Sequence, residues 1–383
     1  MSRAPLLLHV YPTFDVGGAQ VRFAALANRF GARWRHAVVS LDGGAGCLER
    51  IAPEVPLAML TSPTRKGDSL PRAMLRIGRL LHRLQPDLLV TSNWGSIEWA
   101  MARLAMPGLP HLHTEDGFGP EEAAGQIPRR MLTRRIALRH STVVLPSTIL
   151  LRAAQEKWHL PAKQLHHIPN GLDLGRFSPD GPAADLSLPG EGPVIGTVAA
   201  LRPEKNLARL LRAAAILRRE GIALRLAIFG DGSERQSLEA LARELDLDGL
   251  VRFAGHLADP AAAYRAMDLF VLSSDTEQMP FSVLEAMATG LPVAATDAGD
   301  IHAMLPAESR PHIAEKDDAA LAAAMRPLLL DAALRDRLGQ ANHAKAQRDY
   351  DQETMFQAHA ALIERGCRRR PLRTGAVSSV AWR

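Results

Sequence analysis

The sequence predicts an α/β fold of two domains, each a parallel sheet covered by helices on both faces, the two facing one another across a cleft. Three observations predict it. The 383 residues exceed what one ordinary core organises and suit two domains of about 150–200 residues each. Short apolar, β-branched runs alternate with amphipathic helical stretches, the pattern of βαβ units. That alternation runs twice, on either side of a stretch from Phe177 to Gly192 rich in Pro, Gly, Asp and Ser, which reads as a linker.

In the first series Leu6–Tyr11, Ala37–Leu41, Pro56–Leu60, Asp87–Thr91, Pro110–His113, Thr142–Pro146 and Leu165–Ile168 read as strands. Gln20–Phe30, Leu70–Leu84, Ile97–Leu104 and Glu121–Arg139 read as the helices between them. The second series alternates strands Val194–Ala199, Leu224–Phe229, Val251–Ala254, Leu269–Leu272 and Pro292–Ala295 with helices Asn206–Glu220, Glu234–Leu245, Pro260–Ala266 and Pro280–Thr289. Helical sequence continues from Asp318 to about Arg365. The expected boundaries are therefore 1–176 for the first domain, 177–192 for the linker and 193–345 for the second domain. Residues 346–383 form a C-terminal helix and a basic tail, whose last part, from 368 on, is expected to be poorly ordered.

Composition narrows the function classes. Apolar residues make up 47% and aromatic residues 5%, an ordinary soluble, helix-rich balance. Two cysteines, Cys47 and Cys367, are too few for a disulfide framework or a zinc cluster and suit a reducing cytoplasm. The apolar run after Ala4-Pro5 is shorter than a signal-peptide core, and no run reaches the roughly 20 residues of a membrane-spanning helix. The chain is expected in the cytoplasm, at most at the inner face of the membrane. The positive excess falls in the first half, much of it in Arg129, Arg130, Arg134, Arg135 and Arg139 around Met131, Leu132, Ile136 and Leu138. That spacing reads as a solvated helix face, or as a surface for an anionic membrane or a lipid-diphosphate acceptor. No aromatic platform accompanies the arginines, so nucleic acid is not expected as a partner.

Parallel sheets bind ligands beyond the carboxyl ends of their strands, where loops feed helix N-termini. Five segments fall at such ends: Gly17-Gly18, His113 to Gly119, Arg202 to Lys205, Gly230-Asp231-Gly232, and Ser273 to Glu285. Arg202 and Lys205 lead into a helix N-terminus, where two cations and free amides suit a diphosphate. Pro280 suits the first turn of a helix, and Glu285 then lies about 7 Å along it, so Glu277 and Glu285 can reach two parts of one ligand. Three other strings carry less. Gly230-Asp231-Gly232 has Arg235 where a dinucleotide fingerprint needs its third glycine. Gly67-Asp68-Ser69-Leu70 lacks the strand and partners that would make Ser69 a nucleophile. No Walker loop or metal-ligand spacing occurs.

The run Glu277-Gln278-Met279-Pro280-Phe281-Ser282-Val283-Leu284-Glu285-Ala286-Met287-Ala288-Thr289-Gly290-Leu291-Pro292-Val293 resembles the double-glutamate segment of the retaining family-four glycosyltransferases and the Glu-Ala-Met-Ala-x-Gly-x-Pro-Val run that follows it. Leu201 to Leu207 resembles that family's basic loop, with Ala200 in place of its leading glycine. Gly17-Gly18-Ala19-Gln20 resembles its first glycine turn, and Asn170-Gly171-Leu172-Asp173 with Phe177 its end-of-domain signature, read as mainly structural. Gln278 and Met279 stand where many members have Gly-Phe, a departure that bears on donor-sugar preference.

The resemblance covers nearly all of residues 5–345 and implies two Rossmann-like domains of the GT-B type. It implies metal-independent, retaining transfer of a sugar from a UDP- or GDP-linked donor, with no other cofactor, to a glycan or lipid-linked acceptor in polysaccharide, lipopolysaccharide or glycolipid assembly. It places His113, Arg202, Lys205 and Glu277 at the reacting centre. Gly17, Gly18, Gly230, Met279, Pro280, Phe281 and Glu285 would hold the donor, with Glu285 on the ribose diol, and Glu115 and Asp116 would face the acceptor. Two alternatives remain: a nucleotide-sugar epimerase of the same architecture, and a catalytically silent nucleotide-sugar-binding subunit.

Overall fold

Leu6–Tyr11 (β1) is buried along its whole length, as a strand covered by helices on both faces must be. The computed structural model describes residues 4–65, 67–118, 120–122, 125–247, 249–257 and 259–368. After β1 come α1 (Gly18–Phe30), β2 (Arg35–Ser40), β3 (Leu57–Leu60), α2 (Leu70–Leu84), β4 (Leu88–Ser92), α3 (Ile97–Arg103), β5 (His111–Thr114), α4 (Pro128–Leu138), β6 (Thr142–Leu145), α5 (Thr148–Glu156) and β7 (Leu165–His167). Their strands form one parallel sheet in the order β3-β2-β1-β4-β5-β6-β7. The order reverses between β1 and β4, so the crevice lies outside their carboxyl ends.

The second sheet repeats the plan. Its elements are β8 (Val194–Val198), α6 (Leu207–Arg219), β9 (Arg225–Phe229), α7 (Arg235–Glu244), β10 (Val251–Gly255), α8 (Ala261–Arg265), β11 (Leu269–Leu272), α9 (Phe281–Ala288), β12 (Val293–Thr296), α10 (Ile301–Met304), β13 (Ile313–Ala314), α11 (Asp318–Leu330) and α12 (Ala332–Asp349). The order is β10-β9-β8-β11-β12-β13, with the switch between β8 and β11. Both units are thus Rossmann-like.

The chain divides differently from the expected boundaries. One compact unit holds the residues up to Pro169 together with those from Met355 on, and the other holds Asn170–Thr354. The last helix, α13 (Gln352–Arg368), places Met355, Phe356, Ala360, Leu362 and Ile363 in a core with Leu7, Leu26, Trp34 and Leu88 of the first unit. Amphipathicity shows that a helix needs an apolar partner, not which sheet provides it. Segment 177–192 is not a free linker: Phe177 is buried in the second unit's core, where Leu186 and Leu188 also pack, and Arg265 donates to the Pro182 carbonyl. Where the chain crosses between the units, Leu172 donates to the Tyr350 carbonyl and Gln352 donates back to Leu172.

Two helices also differ from expectation. The helix expected over Glu121–Arg139 begins at Pro128, because Ile127 is extended before the proline and Pro120–Glu122 is a separate 3₁₀ turn. The sequence reading has no counterpart to α5, whose N-cap Ser147 accepts from the Leu150 amide at 3.1 Å. The basic tail beyond Arg368 and Gly119 lie outside the described residues.

Candidate active site

In the second unit, the loops after β8 and β11 are stitched together at the switch point. Ser273 donates to the Lys205 carbonyl at 3.0 Å, and the Asp275 amide donates to the Glu204 carbonyl at 2.9 Å. Asp275 in turn accepts from Asn206 at 3.1 Å and pairs with Arg209 at 2.8 Å. This scaffold aims Lys205 at Glu277: Nζ lies 2.7 Å from Oε1, and the Ser274 hydroxyl donates to the same oxygen at 2.7 Å. Asn206, in the left-handed region, caps α6 by accepting from the Arg209 amide. Arg202 is exposed one turn before that helix.

Two glycines permit this closeness. A Cβ on Gly230, which has φ +133°, would stand 1.8 Å from the Ala199 carbonyl oxygen. Leu201 is bonded to the same turn, through its amide to the Asp231 carbonyl and through its carbonyl to the Glu234 amide. A Cβ on Gly299, φ +66°, would stand 2.6 Å from the carbonyl oxygens of Glu277 and Gln278. Only a residue without a side chain fits either position. Gly230 was legible as a turn; Gly299 was not, because the backbone it touches is distant in sequence.

Glu285 lies on the second turn of α9. Its Oε2 accepts from the Tyr264 hydroxyl at 2.7 Å, and burial pushes its carboxyl above the usual range, with the Tyr264 hydrogen bond and Arg176 opposing that shift. Burial and the neighbouring Glu285 push the Tyr264 hydroxyl up in turn. Pro280 is extended and precedes the helix, which starts at Phe281, one position later than the sequence reading has it. Met279 is 7% exposed and its side chain packs in the unit's core with Val283 and Phe270. Pro280 is likewise buried and Phe281 is half-buried.

In the first unit, Gly17 caps α1 in an extended conformation, and Gly18 beside it is exposed. A Cβ on Gly17 would meet only the end of the Gln20 side chain, so packing alone does not demand glycine there. At the end of β5, His113 is fully buried. Its Nδ1 lies 2.7 Å from the Thr91 hydroxyl and its Nε2 3.4 Å from Glu115 Oε2, so neither ring nitrogen is left to a substrate. Glu115 is fully buried as well and is paired with Arg134 at 3.2 Å; the expected acceptor carboxylate is a member of an internal network. Asp116 pairs with Arg22 at 2.6 Å and retains 17% side-chain exposure. Of the His113, Glu115 and Asp116 set, it alone reaches the surface.

Arg134 also departs from the solvated face expected of it. It is fully buried, bonded through both terminal nitrogens to Glu122, and its guanidinium lies about 5 Å from the rings of Trp94, Phe118 and Trp158. Two carboxylates and three aromatic faces compensate the buried charge.

A family model described as glycosyl transferases group 1 matches residues 183–345, and one described as glycosyltransferase family 4 matches residues 16–176. Together they span most of the chain. The chain belongs to glycosyltransferase family four. Among curated family relatives, the putative glycosyltransferase EpsF of Bacillus subtilis is 36% identical over 37% of this chain and 38% of its own length. The lipopolysaccharide core biosynthesis glycosyltransferase LpsE of Rhizobium meliloti is 32% identical over 47% and 52%. A GDP-mannose-dependent alpha-mannosyltransferase of Mycolicibacterium smegmatis is 32% identical over 57% and 56%. The matched stretches thus span about half of these relatives or less. Among solved structures, Anabaena HepE in complex with UDP superposes with TM-score 0.76 at 19% identity, covering 94% of this chain and 99% of that one. WaaG, a glycosyltransferase involved in lipopolysaccharide biosynthesis, gives 0.68 at 18% over 94% and 99%. At such identities the likeness concerns the fold, the GT-B pair of Rossmann-like domains.

Proposed function

We propose that this chain transfers a glycosyl group from a nucleoside diphosphate sugar to an acceptor hydroxyl, with retention and without a metal, in polysaccharide, lipopolysaccharide or glycolipid assembly. The observation that supports this most is the Lys205–Glu277 pair at 2.7 Å, with Glu285 on the helix that follows. A carboxylate fixed by a lysine and a serine hydroxyl suits the hydroxyls of a donor sugar, and Glu285 suits the ribose diol. The family membership and the UDP-bound HepE neighbour support a nucleotide-sugar donor, and the names of LpsE and WaaG support the pathway class.

In this reading the bond from the anomeric carbon to the diphosphate oxygen breaks, and the acceptor oxygen bonds to that carbon on the same face. The acceptor proton passes to a phosphate oxygen of the leaving diphosphate. Lys205, Arg202 and the amides at the start of α6 and α9 stabilise the growing charge, an electrostatic role for groups already in place. This step asks no proton transfer of His113, whose ring nitrogens face Thr91 and Glu115. Asp116 is the first-unit carboxylate best placed for an acceptor. The test supplies α-linked UDP- and GDP-sugars, with lipopolysaccharide-core and exopolysaccharide oligosaccharides as acceptors, in excess chelator, and reads the product's anomeric proton by NMR. An α-linked product is expected. A β-linked product overturns retention, and activity lost to the chelator overturns metal independence.

A further inference from the structure

We infer that Tyr264 is a positioning residue for the nucleotide's ribose: its buried hydroxyl fixes one oxygen of Glu285, so that the carboxylate meets a vicinal diol in a single orientation. The inference rests on the donor-site reading of Glu285 given above.

Tyr264 is fully buried, and its ring is wedged between Phe177, 6.1 Å away and edge-on, and Phe270, 5.8 Å away. The hydroxyl is therefore held in place before it bonds anything. It donates to Glu285 Oε2 at 2.7 Å, and a carboxylate offers about four lone-pair sites, so acceptor capacity remains for a diol. A buried tyrosine hydroxyl needs such a partner, and an ionised one is the strongest available. Three groups act on Glu285. Tyr264 on α8 and Arg176 in the segment before β8 favour its ionised form, and Asp259 just before α8 opposes it. Arg176 and Asp259 are paired with each other at 3.0 Å, which leaves the Tyr264 hydroxyl as the direct hydrogen-bond donor among the described residues. Without it the carboxylate is free to rotate and takes up a proton more readily.

Tyr264→Phe keeps the ring and its packing and removes the hydroxyl alone. Affinities of the full chain for UDP and GDP, and for their 2′,3′-dideoxy analogues, are measured calorimetrically from pH 8 to pH 6. For the ribonucleotide that binds, the variant should lose roughly 3- to 10-fold at pH 7.5 and more as the pH falls, whereas the dideoxy analogue should bind wild type and variant alike. Unchanged ribonucleotide affinity across the range overturns the inference, as does an equal loss on the dideoxy analogue, which would mark a general effect on the shape of the site. Glu285→Gln separates this from the reading beneath it. If that variant binds UDP and GDP as wild type does, or wild type binds neither, the donor site itself is misassigned. If Glu285→Gln loses affinity and Tyr264→Phe does not, the positioning role alone falls.

Discussion

Lys205 and Glu277 show how much a single shielded contact asks of its partners. Their side chains are 25% and 9% exposed, so the pair is neither a screened surface bridge nor a fully desolvated one, and removing either charge strands the other. Arg202 is exposed, so in the proposed donor site it would meet the diphosphate from the solvent side. On these grounds Lys205→Ala should lower turnover by about 100-fold, the usual cost of deleting a donor to transition-state charge, and Arg202→Ala by about threefold, the value of a solvent-screened cation. Steady-state kinetics at saturating donor read both. Wild-type turnover in both variants would remove the pair of cations from the diphosphate.

Within the first unit's sheet, β1 and β2 carry a buried histidine pair. His9 Nε2 and His36 Nδ1 lie 3.1 Å apart, with one neutral ring donating to the other, while His9 Nδ1 and His36 Nε2 have no partner among the described residues. Burial holds His36 down at about 4. Burial, with His36 beside it, holds His9 well below the usual histidine value. Because the folded values lie below the unfolded value of about 6.5, the unfolded chain binds protons first. The stabilisation is whole above about pH 6.5 and is lost as pH falls through the folded value. For His36 the loss approaches about 3 kcal/mol by pH 4. A series of melting temperatures from pH 7.5 to pH 4 should show the first unit weakening, and His36→Gln should flatten part of that slope. A wild-type melting temperature constant down to pH 4.5 would contradict the assignment.

Charge and apolar exposure meet on the outward face of α4, a feature that bears on where the protein as a whole resides. On α4, Leu132 is 57% and Ile136 40% exposed, flanked by exposed Arg129, Arg135 and Arg139, while Arg134 on the same helix points into the core. Among the described residues no helix is long and apolar enough to cross a membrane. An outward face of two aliphatic side chains among three arginines suits the surface of an anionic bilayer, with both electrostatic and apolar contributions. The protein is therefore expected to sediment with vesicles containing phosphatidylglycerol at low salt, to release at high salt, and to ignore pure phosphatidylcholine. Replacing Leu132 and Ile136 together by Glu should abolish sedimentation; full retention by that variant, or none by wild type, contradicts the docking face.

Sequence alone determined the class of fold and most of its strands, because a parallel strand buried on both faces must be an unbroken apolar run and a covering helix must repeat every three to four residues. It also located the basic loop, the Gly230 turn and the two glutamates, since those lie in local runs whose order is itself the signal. Tertiary structure decided what depends on partners distant in the chain. The return of α13 to the first sheet, the burial of Met279 and Arg134, the engagement of both His113 nitrogens, and the approach of Gly299 to Glu277 and of Tyr264 to Glu285 each join segments that no periodicity links. A residue's type states which chemistry it can offer; whether that chemistry faces solvent, a ligand or the core is set by which neighbours the folded chain brings against it.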